Sequence, residues 1–334
     1  MAENVIPHYF HAEAHAVSGK LELPFREQIK KQAFVKLEGQ LANLAEEERS
    51  QHSYFSQHAK NFRLEGIISY AAAHTQVSGH LSQKHPGASV TLATSVVEDL
   101  NVLNVVTADR VVAQISTTHF PGVRTPAVTF LGTHFENLRI ARHRTEPYLK
   151  LDLCGQKLEG TDSMHVDQGS SFMKVVEGQY GRLKAGLEHL LGEDLNRARM
   201  TKPEGTLAKK YQGFGLDHAA IKSQAKNANE TGNKWDGVTC SLVENIEIKD
   251  ISVKDAGGES VHLKPPASSC GHVVHIPDFG TIFLAELTVN HNSYNLTMIR
   301  LELGCLADGN LSMVAANVNG KGGTGGGGGA KTGP

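Results

Sequence analysis

Ile299-Arg300-Leu301-Glu302-Leu303 decides the fold class. Its apolar side chains share one face of an extended strand and its charges share the other, the period-two pattern of a strand with one buried and one wet side. The same alternation is read in Leu149-Lys150-Leu151-Asp152-Leu153-Cys154 and in Lys20-Leu21-Glu22-Leu23. Phe62-Arg63-Leu64-Glu65 opens a further strand that runs towards Tyr70. Ile246 and Ile248 share a phase that Ile251 and Val253 do not, which predicts a bulge or tight turn near Lys249-Asp250. Residues 102–115 and 281–289 are apolar on both faces and read as strands buried between two layers, the first split by a turn at Thr107-Ala108-Asp109. Further turns are expected at Ser18-Gly19, Ser78-Gly79, Pro86-Gly87, Pro121-Gly122 and Asp308-Gly309. Ala14-His15-Ala16-Val17-Ser18-Gly19 is weakly echoed by residues 73–79, each a strand ending in a Ser-Gly turn.

The middle of the chain changes period. Val176, Tyr180, Leu183, Leu187, Leu190 and Leu191 fall at helical spacing, which predicts a helix over 172–195. Gly178, Gly181 and Gly186 weaken it, so packing must support it. Residues 201–236 read as a polar connection, 41–49 as a short second helix, and the glycine-dominated end as a flexible tail. The expected fold is mainly β: an antiparallel β-sandwich or jelly-roll-like core with an inserted α-helical segment. An N-terminal strand block covers 1–155. A helical insertion and linker covers 156–236. A second strand block over 237–318 completes the same β domain, before a tail over 319–334.

With 334 residues the chain can bury a large core, and 40% apolar with 20% charged residues is ordinary for a globular protein. The net charge of −2 and scattered Lys and Arg argue against a nucleic-acid partner. No apolar run reaches the roughly 18 residues of a membrane helix. The N-terminus has no basic start and no apolar region, so the expectation is a cytoplasmic protein or one exported by a non-Sec route. Cys154, Cys240, Cys270 and Cys305 form no CxxC pair and are expected as buried free thiols, with disulfides left open. The 18 histidines are expected mostly as solvated surface residues that make the protein strongly cationic below about pH 6.5.

Two groups could hold a metal. In His11-Ala12-Glu13-Ala14-His15 the two imidazoles and the carboxylate project to one strand face, in donor types suited to Zn or Fe. Neighbours on that face lie about 6.6–7 Å apart, which is wide for one ion. His272 and His275, with Asp278 beside Cys270, form a second cluster, whose period of three puts the two imidazoles on opposite faces unless the backbone turns near Pro277. No Gly-x-Ser-x-Gly elbow and no Cys–His signature is present, and no carboxylate pair is singled out by spacing.

Residues 94–103, Thr-Ser-Val-Val-Glu-Asp-Leu-Asn-Val-Leu, lead into residues 106–113, Val-Thr-Ala-Asp-Arg-Val-Val-Ala. With residues 296–303 and Leu306-Ala307-Asp308-Gly309, this resembles the bacterial choice-of-anchor surface proteins. The resemblance implies an exported, β-rich protein with no known catalytic set, so no functional residue is carried over. The chain departs from that pattern in its helical insertion and in lacking a signal peptide and a sorting signal.

The expected function is a non-enzymatic structural or interaction protein, self-assembling as a homo-oligomer through an exposed strand edge. The N-terminal segment 1–17 is the candidate for an added strand. No cofactor is expected. The alternative is a metal-dependent enzyme or sugar-binding protein on a β scaffold, using His11, Glu13 and His15 with a divalent metal such as Zn or Fe. A metal-free carbohydrate module would need an aromatic platform, for which one Trp offers little.

Overall fold

A computed structural model of the chain describes residues 8–40, 53–121, 126–154, 172, 174–179, 181–183, 238–254, 260–277, 279–290, 293–304 and 308–319. The expected second helix, the polar connection, the tail, Cys305 and Asp278 lie outside them, as does most of the predicted inserted helix.

The fold is an antiparallel β-sandwich of two nine-stranded sheets. In the first, β1 (Tyr9–Leu23) lies beside β2 (Glu27–Ile29) and also pairs β3 (Val35–Gln40). Its other edge pairs β20 (Asp308–Asn319), followed outward by β19 (Ser293–Gly304), β18 (Gly280–Asn290), β17 (Val273–Ile276) and β16 (Ser268–Cys270). A short β12 (Val238–Ser241) also pairs β18. The second sheet is built on the meander β4 (Ser53–Leu64), β5 (Ile68–Leu81), β6 (Ser89–Val102) and β7 (Val106–His119). It continues through β10 (Arg139–Ile140), β11 (His143–Leu149) and β13 (Val243–Ile248), with β8 (Ala127–Thr129) and β9 (His134–Glu136) also on β7. A separate two-stranded ribbon joins β14 (Ile251–Lys254) to β15 (Ser260–Leu263).

The inner faces carry the core. Ala12, Leu21, Leu284, Leu296, Leu301, Met313 and Val318 from one sheet meet Val77, Ala93, Val97, Val111, Ile115 and Ile140 from the other. Small inward polar residues bridge the layers: Ser95 Oγ donates to the His15 carbonyl at 2.9 Å, and Thr75 Oγ1 donates to the Ala33 carbonyl at 2.5 Å. Leu242 joins the sheets through the backbone, donating to the Ala285 carbonyl and accepting from Lys150 N–H.

One feature runs across both sheets. In β4, β5, β6 and β7 the ladder skips a common row at Asn61, Ala71, Asp99 and Asp109, with Tyr70 and Leu100 also left out between β5 and β6. In β1, β20, β19 and β18 it skips Ala16, Val314, Met298 and Ala285. Asn61, Asp99, Ala285 and Val314 have positive φ, so alternate strands carry the left-handed residue. Across this crease the buried positions change parity. In β7 they are Val106 and Ala108 before it and Val111, Ala113 and Ile115 after it; in β19, Leu296 and Met298 before it and Ile299, Leu301 and Leu303 after it. Because every neighbour breaks its pairing in the same row, pairing resumes in register on the far side.

The crease accounts for one of the segments that read as apolar on both faces: in 102–115 two in-phase halves are joined with a slip, so both parities are buried. In 281–289 both faces are buried already before the crease, Ile282 and Leu284 in the core and Phe283 under Leu183. The crease also corrects the turn placed at Thr107-Ala108-Asp109, since β7 continues through these residues and the reversal lies at Leu103-Asn104, where both φ are positive. Three other expectations are corrected. Ser18-Gly19 and Ser78-Gly79 lie inside β1 and β5, where glycine permits close approach. A Cβ on Gly19 would lie 2.3 Å from the Asn310 carbonyl oxygen, and one on Gly79 would lie 2.5 Å from the Phe10 ring. The strand expected at 149–154 stops at Leu149, and residues 151–154 turn to bury Leu153 and Cys154. Phe62-Arg63-Leu64 ends β4 instead of running on to Tyr70: the chain reverses at Glu65-Gly66, and Phe62 stacks on Tyr70 across the hairpin at 5.1 Å. Pro86-Gly87 does form a turn, Asp308-Gly309 begins β20, and the break at Lys249-Asp250 is where the chain leaves β13 for β14.

Candidate functional site

His11, Glu13 and His15 share the outer face of β1, with Ala12 and Ala14 buried beneath. Their contacts are those of an ion-pair cluster. Glu13 Oε2 accepts from Lys31 Nζ at 3.0 Å, its Oε1 lies 3.7 Å from Lys36 Nζ, and His11 Nε2 is 3.9 Å from the same oxygen. His15 Nε2 is 2.9 Å from Ser18 Oγ. Burial would raise the Glu13 pKa, but Lys31, His11 and Lys36 outweigh it and hold the carboxyl below its usual range. Burial, with Lys31, lowers His15 to about 4. A divalent ion here would have to displace two ammonium groups from the carboxylate. No group of three or more His, Cys, Asp or Glu side chains among the described residues is arranged to hold a metal ion.

The second predicted cluster resolves differently. His272 lies in the turn before β17, at the φ-positive Gly271, and is buried; His275 is on β17, 3.2 Å from Thr281 Oγ1. His272 Nε2 lies 3.8 Å from Oε1 of Glu286, a buried carboxylate on β18. Arg300 from β19 donates to both Glu286 oxygens, through Nε at 2.5 Å and Nη2 at 2.9 Å, and through Nη1 to Glu302. Its Cζ sits 3.6 Å over the Phe283 ring. Burial would raise the Glu286 pKa; hydrogen bonds and charge from Arg300 and His272 overcome it and hold the carboxyl at about 2. Glu286 is therefore a fixed anion at neutral pH, not a proton donor.

Arg300 and Glu302, expected on a wet face, are covered. Helical residues 174–179 and 181–183 pack over this side, Leu183 meeting Val273 and Phe283. Gln179 locks the helix down, donating from Nε2 to the Ser241 carbonyl at 2.7 Å and accepting from Ser241 N–H at 3.0 Å. Ser241 Oγ reaches the Leu284 and Ala285 carbonyls at the crease, so helix, strand switch and crease meet at one point. Of this cluster the sequence singles out His272 but not its partners: Glu286 lies inside the apolar run 281–289, and Arg300 and Glu302 fall on a face expected to be wet.

The thiols are not poised for chemistry. Burial pushes Cys154 up to about 12 and raises Cys240 well above the usual thiol range, and Cys270 donates to the Arg182 carbonyl at 3.3 Å. All three are free.

The least covered long strand is β4. Most of its residues are exposed, on both faces, with Tyr54 at 52% and Phe55 at 51%. Among the described residues it is the terminal strand of its sheet and pairs only β5. The β14–β15 ribbon is also open: Val253, Val261 and Leu263 are exposed on its apolar side, opposite Ser252 and His262.

No helix among the described residues is long and apolar enough to cross a membrane. No curated protein and no solved structure matches the chain. Residues 8–290 match the family described as a domain of unknown function, DUF8256. That span takes in β1 to β18, with the whole second sheet and the His272 and Glu286 part of the buried cluster, while β19 and β20, with Arg300 and Glu302, follow it; the chain belongs to this family.

Proposed function

We propose that the protein is a non-enzymatic interaction protein that self-associates through the edge of β4. The observation that carries this reading is a twelve-residue strand, terminal in its sheet among the described residues, with two aromatic side chains half-exposed on opposite faces. A long exposed edge presents unpaired backbone donors and acceptors, and a second strand satisfies them. The N-terminal segment does not supply that strand from residues 9–17, since these pair with β20 and β3 of their own chain. A second copy of β4 is the simplest donor, because a two-fold interface uses one patch twice. The apolar side of the β14–β15 ribbon supports an interaction role independently. So does the resemblance to surface proteins, whose matching stretches fall on the β6–β7 hairpin and on β19.

Light scattering behind size-exclusion chromatography tests this on the full chain at pH 5 and pH 8. The expected result is a mass that rises with concentration and returns to the monomer in Phe55→Lys and Ser56→Pro. A monomer at every concentration and both pH values overturns the assembly reading.

A further inference from the structure

The turn at Glu65-Gly66 sets a register that brings His58 of β4 directly opposite His74 of β5. The two rings are stacked, with centroids 4.4 Å apart and planes 12° from parallel. His58 is exposed and His74 half-buried, and neither ring has a hydrogen-bond partner among the described residues. Opposite residues of an antiparallel pair have Cβ atoms about 4.5–5.5 Å apart. Small χ rotations therefore bring one nitrogen from each ring to the roughly 2.0–2.1 Å of a metal–imidazole bond. Neighbours along one strand face, such as His11 and Glu13, start about 6.6–7 Å apart and cannot close on one ion as readily.

The surroundings leave room for a cation. Lys60 lies two residues along β4; Val96 is the partner of His74 on β6; and Glu98, with Arg110 at 4.0 Å, lies beyond Ala72. No carboxylate–lysine pair occupies the histidines, in contrast to Glu13 on β1. His134 stands in the same cross-strand row but is separated by Val96 and Val112, so it is too far to complete a three-ligand site.

We propose that His58 and His74 form a two-ligand site for a divalent transition-metal ion of the Cu, Ni or Zn class, with water filling the remaining positions. Two neutral imidazoles select these ions over Mg or Ca, and Cu2+ binds tightest in the usual affinity order. The bound ion ties the edge strand β4 to β5. The site does not rest on the self-association reading, because both ligands come from one chain.

The test uses chelator-treated full-length protein with one equivalent of Cu2+ and electron paramagnetic resonance, together with calorimetric titration by Cu2+ and Zn2+. The wild type is expected to show two equatorial nitrogen donors. His58→Gln and His74→Gln are each expected to weaken binding about tenfold or more, since the second ring acts at high effective concentration. His11→Gln and His15→Gln are expected to leave it unchanged. Added Cu2+ should raise the Tm of wild type and not of His74→Gln, because an ion that binds only the folded state stabilises it. Equal affinity in wild type and His74→Gln, or loss of binding in His11→Gln instead, overturns the proposal.

Discussion

Arg300 donates to both oxygens of Glu286 and to Glu302 while lying on the Phe283 ring. Removing one partner of such a buried pair costs more than removing both, because a desolvated charge is left behind. Arg300→Met is expected to lower unfolding stability by about 3–5 kcal/mol, and Arg300→Met with Glu286→Leu by clearly less. Urea denaturation at pH 7 measures both. The sign in pH follows from the depressed Glu286 pKa: its stabilisation is present above the unfolded carboxylate value and is lost as pH falls towards 2. The alternation of Ile299-Arg300-Leu301-Glu302-Leu303 was legible as a strand. It could not report that its polar face is covered, since the cover comes from residues 174–183, more than 100 positions upstream.

At the scale of elements, hairpins were the hardest feature to read. Their turns at Leu103-Asn104 and Ala141-Arg142 contain no glycine, although all four residues have positive φ. The chain places L-residues in the conformation that two-residue hairpins demand, at a cost of roughly 1–2 kcal/mol each. Arg142→Gly is therefore expected to raise stability by about 1 kcal/mol, read as a shift in the urea midpoint at unchanged slope. Gly19 and Gly79 misled in the other direction: they suggested turns but serve close packing inside strands. Missing the Glu65-Gly66 reversal also hid the His58–His74 pair, whose members are neighbours only once the hairpin is drawn. The His11, Glu13 and His15 face was read correctly from period two. Lys31 and Lys36, which occupy it, lie beyond the end of the strand that displays it.

For the molecule as a whole, histidine content is less of a surface property than composition implied. Of the described histidines only His58, His134 and His262 are exposed, because many sit where the sheets and their ends close on one another. Burial lowers His8 to about 4, beside His119 at 4.5 Å, and His15 to about 4. These two stay neutral in the folded state while the unfolded chain takes up protons near pH 6.5. Stability is therefore expected to be full above pH 6.5 and to fall as pH drops towards 4, by about 1–3 kcal/mol per residue. Thermal melts from pH 7.5 to 4 should show this decline, and His8→Gln should flatten it. The class of fold was legible because alternation is local. The pairing of β1 with β20, which joins the two ends of the described chain, is not local and left no mark in any window of sequence.

The crease at Asn61, Ala71, Asp99 and Asp109, and its counterpart at Ala16, Val314, Met298 and Ala285, constrains descent as well as shape. A strand that lost its extra residue alone would present half its length inside out to neighbours that kept theirs. Insertions and deletions in these rows are therefore viable only together, strand by strand across a sheet. Lineages of this fold should keep the rows as a block while lengthening freely at the loops, and a creased hairpin copied whole is the shortest route to two sheets that bear the same fold line.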